Sequence, residues 1–116
     1  MLSVARRLMI VLLLVLSACS GAPPTVDRIE IVNPTGYDLT VEVSGEEQPG
    51  WLPLSVVEPG SSATVREVID QGERWRFRFR HFGETVGEIS LDRDELESSQ
   101  WRVDIPPEVG DRLAGE

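Results

Sequence analysis

Past residue 25 the chain alternates apolar and polar residues with a period of two, in several short stretches. Ile29 and Ile31 alternate with Arg28 and Glu30, and Tyr37, Leu39, Val41 and Val43 alternate with Asp38, Thr40 and Glu42. That period is the mark of a strand with one face buried. Between these two stretches lies Asn33-Pro34-Thr35-Gly36, with a proline to fix the first turn position and a glycine able to take a left-handed one. The pattern therefore predicts a hairpin pairing Ile31 with Leu39, Ile29 with Val41 and Arg28 with Glu42. Residues 55–58 predict a short strand, Pro59-Gly60-Ser61-Ser62 a turn, and residues 63–69 another strand. Val65 followed by Val68 and Ile69 breaks strict alternation, which points to a bulge near Arg66 and Glu67.

The most regular alternation follows the turn Asp70-Gln71-Gly72-Glu73. Trp75, Phe77, Phe79 and His81 face one way, and Arg74, Arg76, Arg78 and Arg80 face the other. With a turn at Phe82-Gly83-Glu84, the next strand pairs Trp75 with Leu91, Phe77 with Ile89, Phe79 with Gly87 and Arg78 with Glu88. Asp92 with Glu95 three residues on has the form of a capping box, so one short helical turn is expected there, with Leu96 turned to the core. Trp101, Val103 and Ile105 alternate with Arg102 and Asp104 as a last strand, stopped by Pro106-Pro107. One more helical turn over residues 107–115 would pack Val109 and Leu113.

About seven short strands, closely spaced turns and no long helix define an all-β chain: an antiparallel β-sandwich with an immunoglobulin- or fibronectin-like layout. The Cys-Trp-Cys core signature of immunoglobulin domains is absent. A small Greek-key β-barrel is the alternative architecture.

The first residues follow different rules. Arg6 and Arg7 precede the unbroken apolar run of residues 8–16, as in a secretory signal. A membrane-spanning helix does not fit, since residues 8–18 reach only about 16 Å against a hydrocarbon core of about 30 Å. The run leads into Leu16-Ser17-Ala18-Cys19, which holds the sole cysteine. This segment resembles the lipobox of bacterial lipoproteins. The resemblance covers residues 1–19 and implies that Cys19 receives a diacylglyceryl thioether, that the chain is cut between Ala18 and Cys19, and that the new amino terminus is acylated, palmitate being the usual chain. Two or three such chains hold a protein stably at a membrane, at about 0.8 kcal/mol per buried methylene. The expected organisation is a signal peptide over residues 1–18, a lipidated cysteine and tether over 19–25, and one β domain over 26–116. The tether beyond Cys19 has six residues and reaches at most about 20 Å. Ser20 lacks the aspartate that commonly retains such proteins in the inner membrane, so the expected location is the extracytoplasmic side of the cell membrane, or the periplasmic face of the outer membrane in a cell with two. The rest of the chain is similar to uncharacterised bacterial envelope lipoproteins and brings no activity across.

Composition narrows the remaining choices. If the leader is removed, nine arginines face twenty carboxylates, a net charge of −11 with no lysine at all. Nucleic acid and anionic lipid headgroups repel such a body. With Cys19 lipidated, no thiol is left for a disulfide, and stability must come from packing.

The candidate chemistry is sparse. Trp51, between Gly50 and Pro53, is expected to cover the open end of the core between the sheets; the other option is an aromatic recognition loop. Arg76, Arg78 and Arg80 predict either an ion-pair ladder with carboxylates on neighbouring strands or an anion site. His81 stands alone, with no ligand set or nucleophile at a readable spacing, so neither a metal nor a cofactor is expected. The acidic run from Asp92 lacks the spacing of a calcium loop. Three function classes follow. First is a non-enzymatic binding or accessory module with a protein partner in the cell envelope. Second is a carbohydrate or cell-wall binder that stacks sugars on Trp51. Third, and least favoured, is a carboxylate-pair hydrolase, which needs two acids about 5 to 9.5 Å apart. Trp51, Arg76, Arg78 and Arg80 are the candidate binding surface.

Overall fold

The computed structural model describes residues 23–46 and 50–115; the leader, its cleavage point and Cys19 lie outside the described residues. Seven strands and two short helices follow in the order β1 (Thr25–Val32), β2 (Leu39–Gly45), β3 (Leu52–Val57), β4 (Ser62–Ile69), β5 (Arg74–His81), β6 (Glu84–Asp92), α1 (Arg93–Ser98), β7 (Arg102–Asp104) and α2 (Pro107–Ala114). They form two sheets, β4-β1-β7 and β3-β2-β5-β6, that pack face to face as a sandwich and do not close into a barrel. All pairings are antiparallel except β1 with β7, which run parallel. The core between the sheets holds Trp75, Phe77 and Phe79 from β5, Leu39, Val41 and Val43 from β2, and Ile29 and Ile31 from β1, all fully buried.

The expected β1–β2 hairpin does not form. The two strands belong to different sheets, β1 pairing with β4 and β7, and β2 with β3 and β5. Residues 33–38 are an arch that carries the chain across the sandwich, and Asn33 is its keystone. Its fully buried side chain donates from Nδ2 to the carbonyls of Tyr37 at 2.7 Å and Val57 at 3.0 Å, while Oδ1 accepts from the Thr35 amide at 3.0 Å and hydroxyl at 2.7 Å. The Asn33 amide donates to Ser61 O at 2.8 Å, tying the arch to the β3–β4 turn. Pairing each strand in its own sheet lets both apolar faces meet across the core, which a two-stranded ribbon cannot do.

The β5–β6 hairpin has the expected register: Trp75 opposite Leu91, Phe77 opposite Ile89, Arg78 opposite Glu88 and Phe79 opposite Gly87. Its turn is shorter than expected, only Phe82 and Gly83, and the register shifts by one residue between Phe79 and Arg80. On β4 the break in alternation is present without an extra residue. Glu67 takes φ +53° while β1 and β4 keep one register on both sides of it, so Val65 and Val68 can both turn toward the core side. The capping box is as expected, with Asp92 accepting from the Glu95 amide at 2.9 Å and Glu95 accepting from the Asp92 amide at 3.2 Å, and Leu96 is fully buried.

Edge strands expose unpaired backbone groups, and two devices blunt them here. Pro53, without an N–H, sits on edge strand β3 next to a register shift. On the other edge of that sheet, α2 leans on β6: Arg112 donates to Val86 O, and a Cβ at Gly87 would come within 2.8 Å of Val109 Cγ2. Glycine is also required at position 45, where a Cβ would collide with the backbone oxygen of Gln71.

Candidate functional site

The alternation of β5 sends Trp75, Phe77 and Phe79 inward, so Arg74, Arg76, Arg78 and Arg80 must emerge on the outer face of the four-stranded sheet. This face brings the four candidate residues together. The Trp51 ring lies against it, with the guanidinium carbon of Arg78 4.3 Å and that of Arg76 5.0 Å from the ring centroid. Trp51 therefore does not cover the end of the core. Trp101 packs against the core instead, meeting Trp75 edge-on with centroids 5.3 Å apart. Trp51 directly precedes β3, the edge strand beside β2.

Carboxylates from the flanking strands hold the arginines. Glu42 on β2 stands opposite Arg78 and accepts from its Nε at 2.7 Å, with Arg80 Nη1 3.5 Å away. Glu88 on β6 is also opposite Arg78 but bonds diagonally to Arg76, at 2.9 Å. Hydrogen bonding from Arg78 holds the Glu42 carboxyl below the usual carboxylate range; its partial burial opposes this, and the positive charges of Arg78 and Arg80 reinforce it. Arg80 also donates to Gly83 O in the β5–β6 turn. The arrangement is a charge ladder with an aromatic lid. The guanidiniums of Arg76, Arg78 and Arg80 already have partners, so a free anion beside them would have to displace Glu42 or Glu88, whereas the indole and the ion-pair edges can meet a neutral, polar or planar ligand.

The other candidates have local roles. His81 Nδ1 lies 3.0 Å from Asp38 O, and the ring stands edge-on to Tyr37 at 5.5 Å and to Phe82 at 4.4 Å. The acidic run starting at Asp92 caps α1. Among the described residues, no group of three or more His, Cys, Asp or Glu is placed to hold a metal ion. No described helix is long and apolar enough to cross a membrane.

Two residues of this region escaped the sequence pattern. Glu42 is an ordinary outward position of β2 until β2 is known to lie beside β5; only then does it become the shared partner of Arg78 and Arg80. Phe82 carried a readable signal, a bulky aromatic directly before a glycine in a hairpin turn, where asparagine or aspartate is usual. Comparison with protein-family models, with curated proteins and with solved structures gave no match to this chain.

Proposed function

We propose that this chain is a membrane-anchored lipoprotein of the cell envelope, held by lipid on Cys19, that acts as a non-enzymatic binding or accessory module. One observation carries the anchoring: Arg6 and Arg7, an apolar run too short to span, and Leu16-Ser17-Ala18-Cys19 stand in that order, with the first strand beginning six residues past the cysteine. That spacing keeps the sandwich beside the bilayer, where a weak interaction gains from high local concentration. Support for a binding role comes from the outer face of β5, where Arg76, Arg78 and Arg80 stand on a central strand and Trp51 lies over them from the start of β3. Feeding cells a labelled palmitate should tag the full chain and place it in the membrane fraction. Cys19→Ala should lose both label and membrane retention, and a labelled or retained Cys19→Ala would refute the anchor.

A second reading, carbohydrate or cell-wall binding, draws on the position of Trp51. A partly exposed indole beside arginine and glutamate side chains is the kind of surface that stacks on a sugar ring. Co-sedimentation with purified cell-wall sacculi tests it: the wild type should pellet and Trp51→Ala should lose about 1 to 2 kcal/mol of that binding, about 5- to 30-fold. Equal pelleting of the two would remove this reading.

A further inference from the structure

The turn that joins β5 to β6 contains a residue that folding alone would not select. Phe82 and Gly83 both have positive φ, +48° and +80°, which is the backbone of a two-residue hairpin turn of the primed type. Asparagine, aspartate or glycine suits the first position of such a turn. A residue with a bulky side chain is disfavoured there, by about 1 to 2 kcal/mol relative to right-handed backbone. Burial does not offset this, because Phe82 is 94% exposed, the most exposed large apolar side chain among the described residues.

The turn that carries the ring is nevertheless braced. The ring packs edge-on against His81, which packs edge-on against Tyr37, and the imidazole is pinned through Nδ1 to Asp38 O. Arg80 ties the turn from below by donating to Gly83 O. An apolar ring on a braced turn loses little entropy on docking, as the aromatic anchors that dominate protein interfaces do.

Its position narrows the partner. β1 begins at Thr25 beside Ile69, the last residue of β4, and β5 begins just after that end and runs the length of the sheet to His81. Phe82 thus lies at the pole opposite the tether, about 26 Å away along an eight-residue strand at about 3.3 Å per residue. Asp38, Glu58 and Glu84 are exposed around that pole: Asp38 adjoins the start of β2, Glu58 follows Val57 opposite Leu39, and Glu84 pairs with His81. Three carboxylates against the one guanidinium of Arg80 leave this rim net acidic, so it repels anionic lipid and a second copy of this acidic chain and attracts a basic surface.

We infer that Phe82 is a docking anchor that inserts into an apolar pocket, rimmed by lysine or arginine, on a protein facing the membrane-distal pole of this domain. The orientation rests on the lipoprotein reading above; the anchor itself rests on the turn.

The test uses the full chain in its native host, with a photo-crosslinking phenylalanine analogue at position 82 and, as a control, at the exposed strand position Arg66. Position 82 should give one discrete protein adduct that position 66 does not, with the crosslink mapping to an apolar pocket bordered by basic residues. The purified partner should then bind Phe82→Asn at least about tenfold more weakly than wild type. Rising salt should weaken the wild-type complex, and the unfolding midpoint of Phe82→Asn should hold or rise. An adduct to phospholipid or to a second copy, no adduct, unchanged binding by Phe82→Asn, or a lowered unfolding midpoint would each overturn the inference. The two proposals fail separately: loss of palmitate labelling with the adduct intact removes the anchor, and loss of the adduct with labelling intact removes the docking site.

Discussion

The chain turns through Asp70-Gln71-Gly72-Glu73 to enter β5 and through Phe82-Gly83 to leave it, and the two turns share a strand but little else. In the first, Asp70 accepts from both terminal nitrogens of Arg93, at 2.8 and 2.9 Å, and from the Gly72 amide at 2.9 Å. Arg93 also donates to Gly72 O and lies over Trp101, and Gly72 O accepts from Trp75 Nε1 at 2.9 Å. Side chains from a turn, a strand and a helix converge there, and the indole of Trp75 is fully buried. The second turn is braced only by Arg80 and by the His81 ring beside it, and presents a bare phenyl ring to solvent. The entry turn holds the sandwich together; the exit turn bears a residue that the fold itself does not need.

The strongest way to break this contrast is at the entry turn. Trp75→Ala should destabilise the protein by about 3 to 5 kcal/mol, since a fully buried indole leaves a large cavity and its N–H partner at Gly72 is lost. Urea unfolding measures this, and a loss below about 2 kcal/mol would mean that the entry turn is no anchor.

Next in size is Arg93→Ala, expected to cost about 1 to 2 kcal/mol, because a partly exposed but bidentate, charge-assisted pair is broken. Its pH signature is sharper. Hydrogen bonding from Arg93 holds the Asp70 carboxyl below its ordinary value; burial opposes this, and the Gly72 amide adds to it. A carboxyl depressed in the folded state contributes stability that is fully present above its unfolded pKa, near 4, and lost as pH falls through the lower folded value. Acid unfolding should therefore deepen below about pH 4 in the wild type, and its slope should shrink in Arg93→Ala, with the remainder supplied by Glu42 and its arginines. Identical acid profiles would show that Asp70 is not linked to folding.

The smallest effect has the opposite sign. Phe82→Asn should leave stability unchanged or raise it by up to about 1 kcal/mol, because asparagine suits the left-handed turn position. A clear loss in urea unfolding would make the exit turn a second structural brace and erase the contrast.

Legibility followed the distance between partners along the chain. The β5–β6 register from Trp75 to Phe79 and the Asp92–Glu95 capping box could be read residue by residue, since each is local, whereas the shift at Arg80 that shortens the turn left no mark in the alternation. The β1–β2 hairpin was misread because its alternation and turn chemistry suited a hairpin equally well, and nothing nearby showed that β4 and β7 would compete for β1. The arginine face was foreseen as a ladder, yet its main carboxylate, Glu42, and its indole, Trp51, reach it from β2 and from the loop before β3.

By itself the sequence determined that the chain would be all-β with about seven short strands, which face of each regular strand would be buried, and how α1 would start. It also holds the resemblance to a lipoprotein leader. These follow from side-chain period and backbone stereochemistry, which act within a few residues. Only the tertiary structure decided that two open sheets form instead of a barrel, which strands share a sheet, that Trp51 lies on the arginine face instead of the core's open end, and that Phe82 projects from the pole opposite the start of β1. Those outcomes depend on which distant apolar faces and charges meet, and that choice is made when the two sheets close on one core.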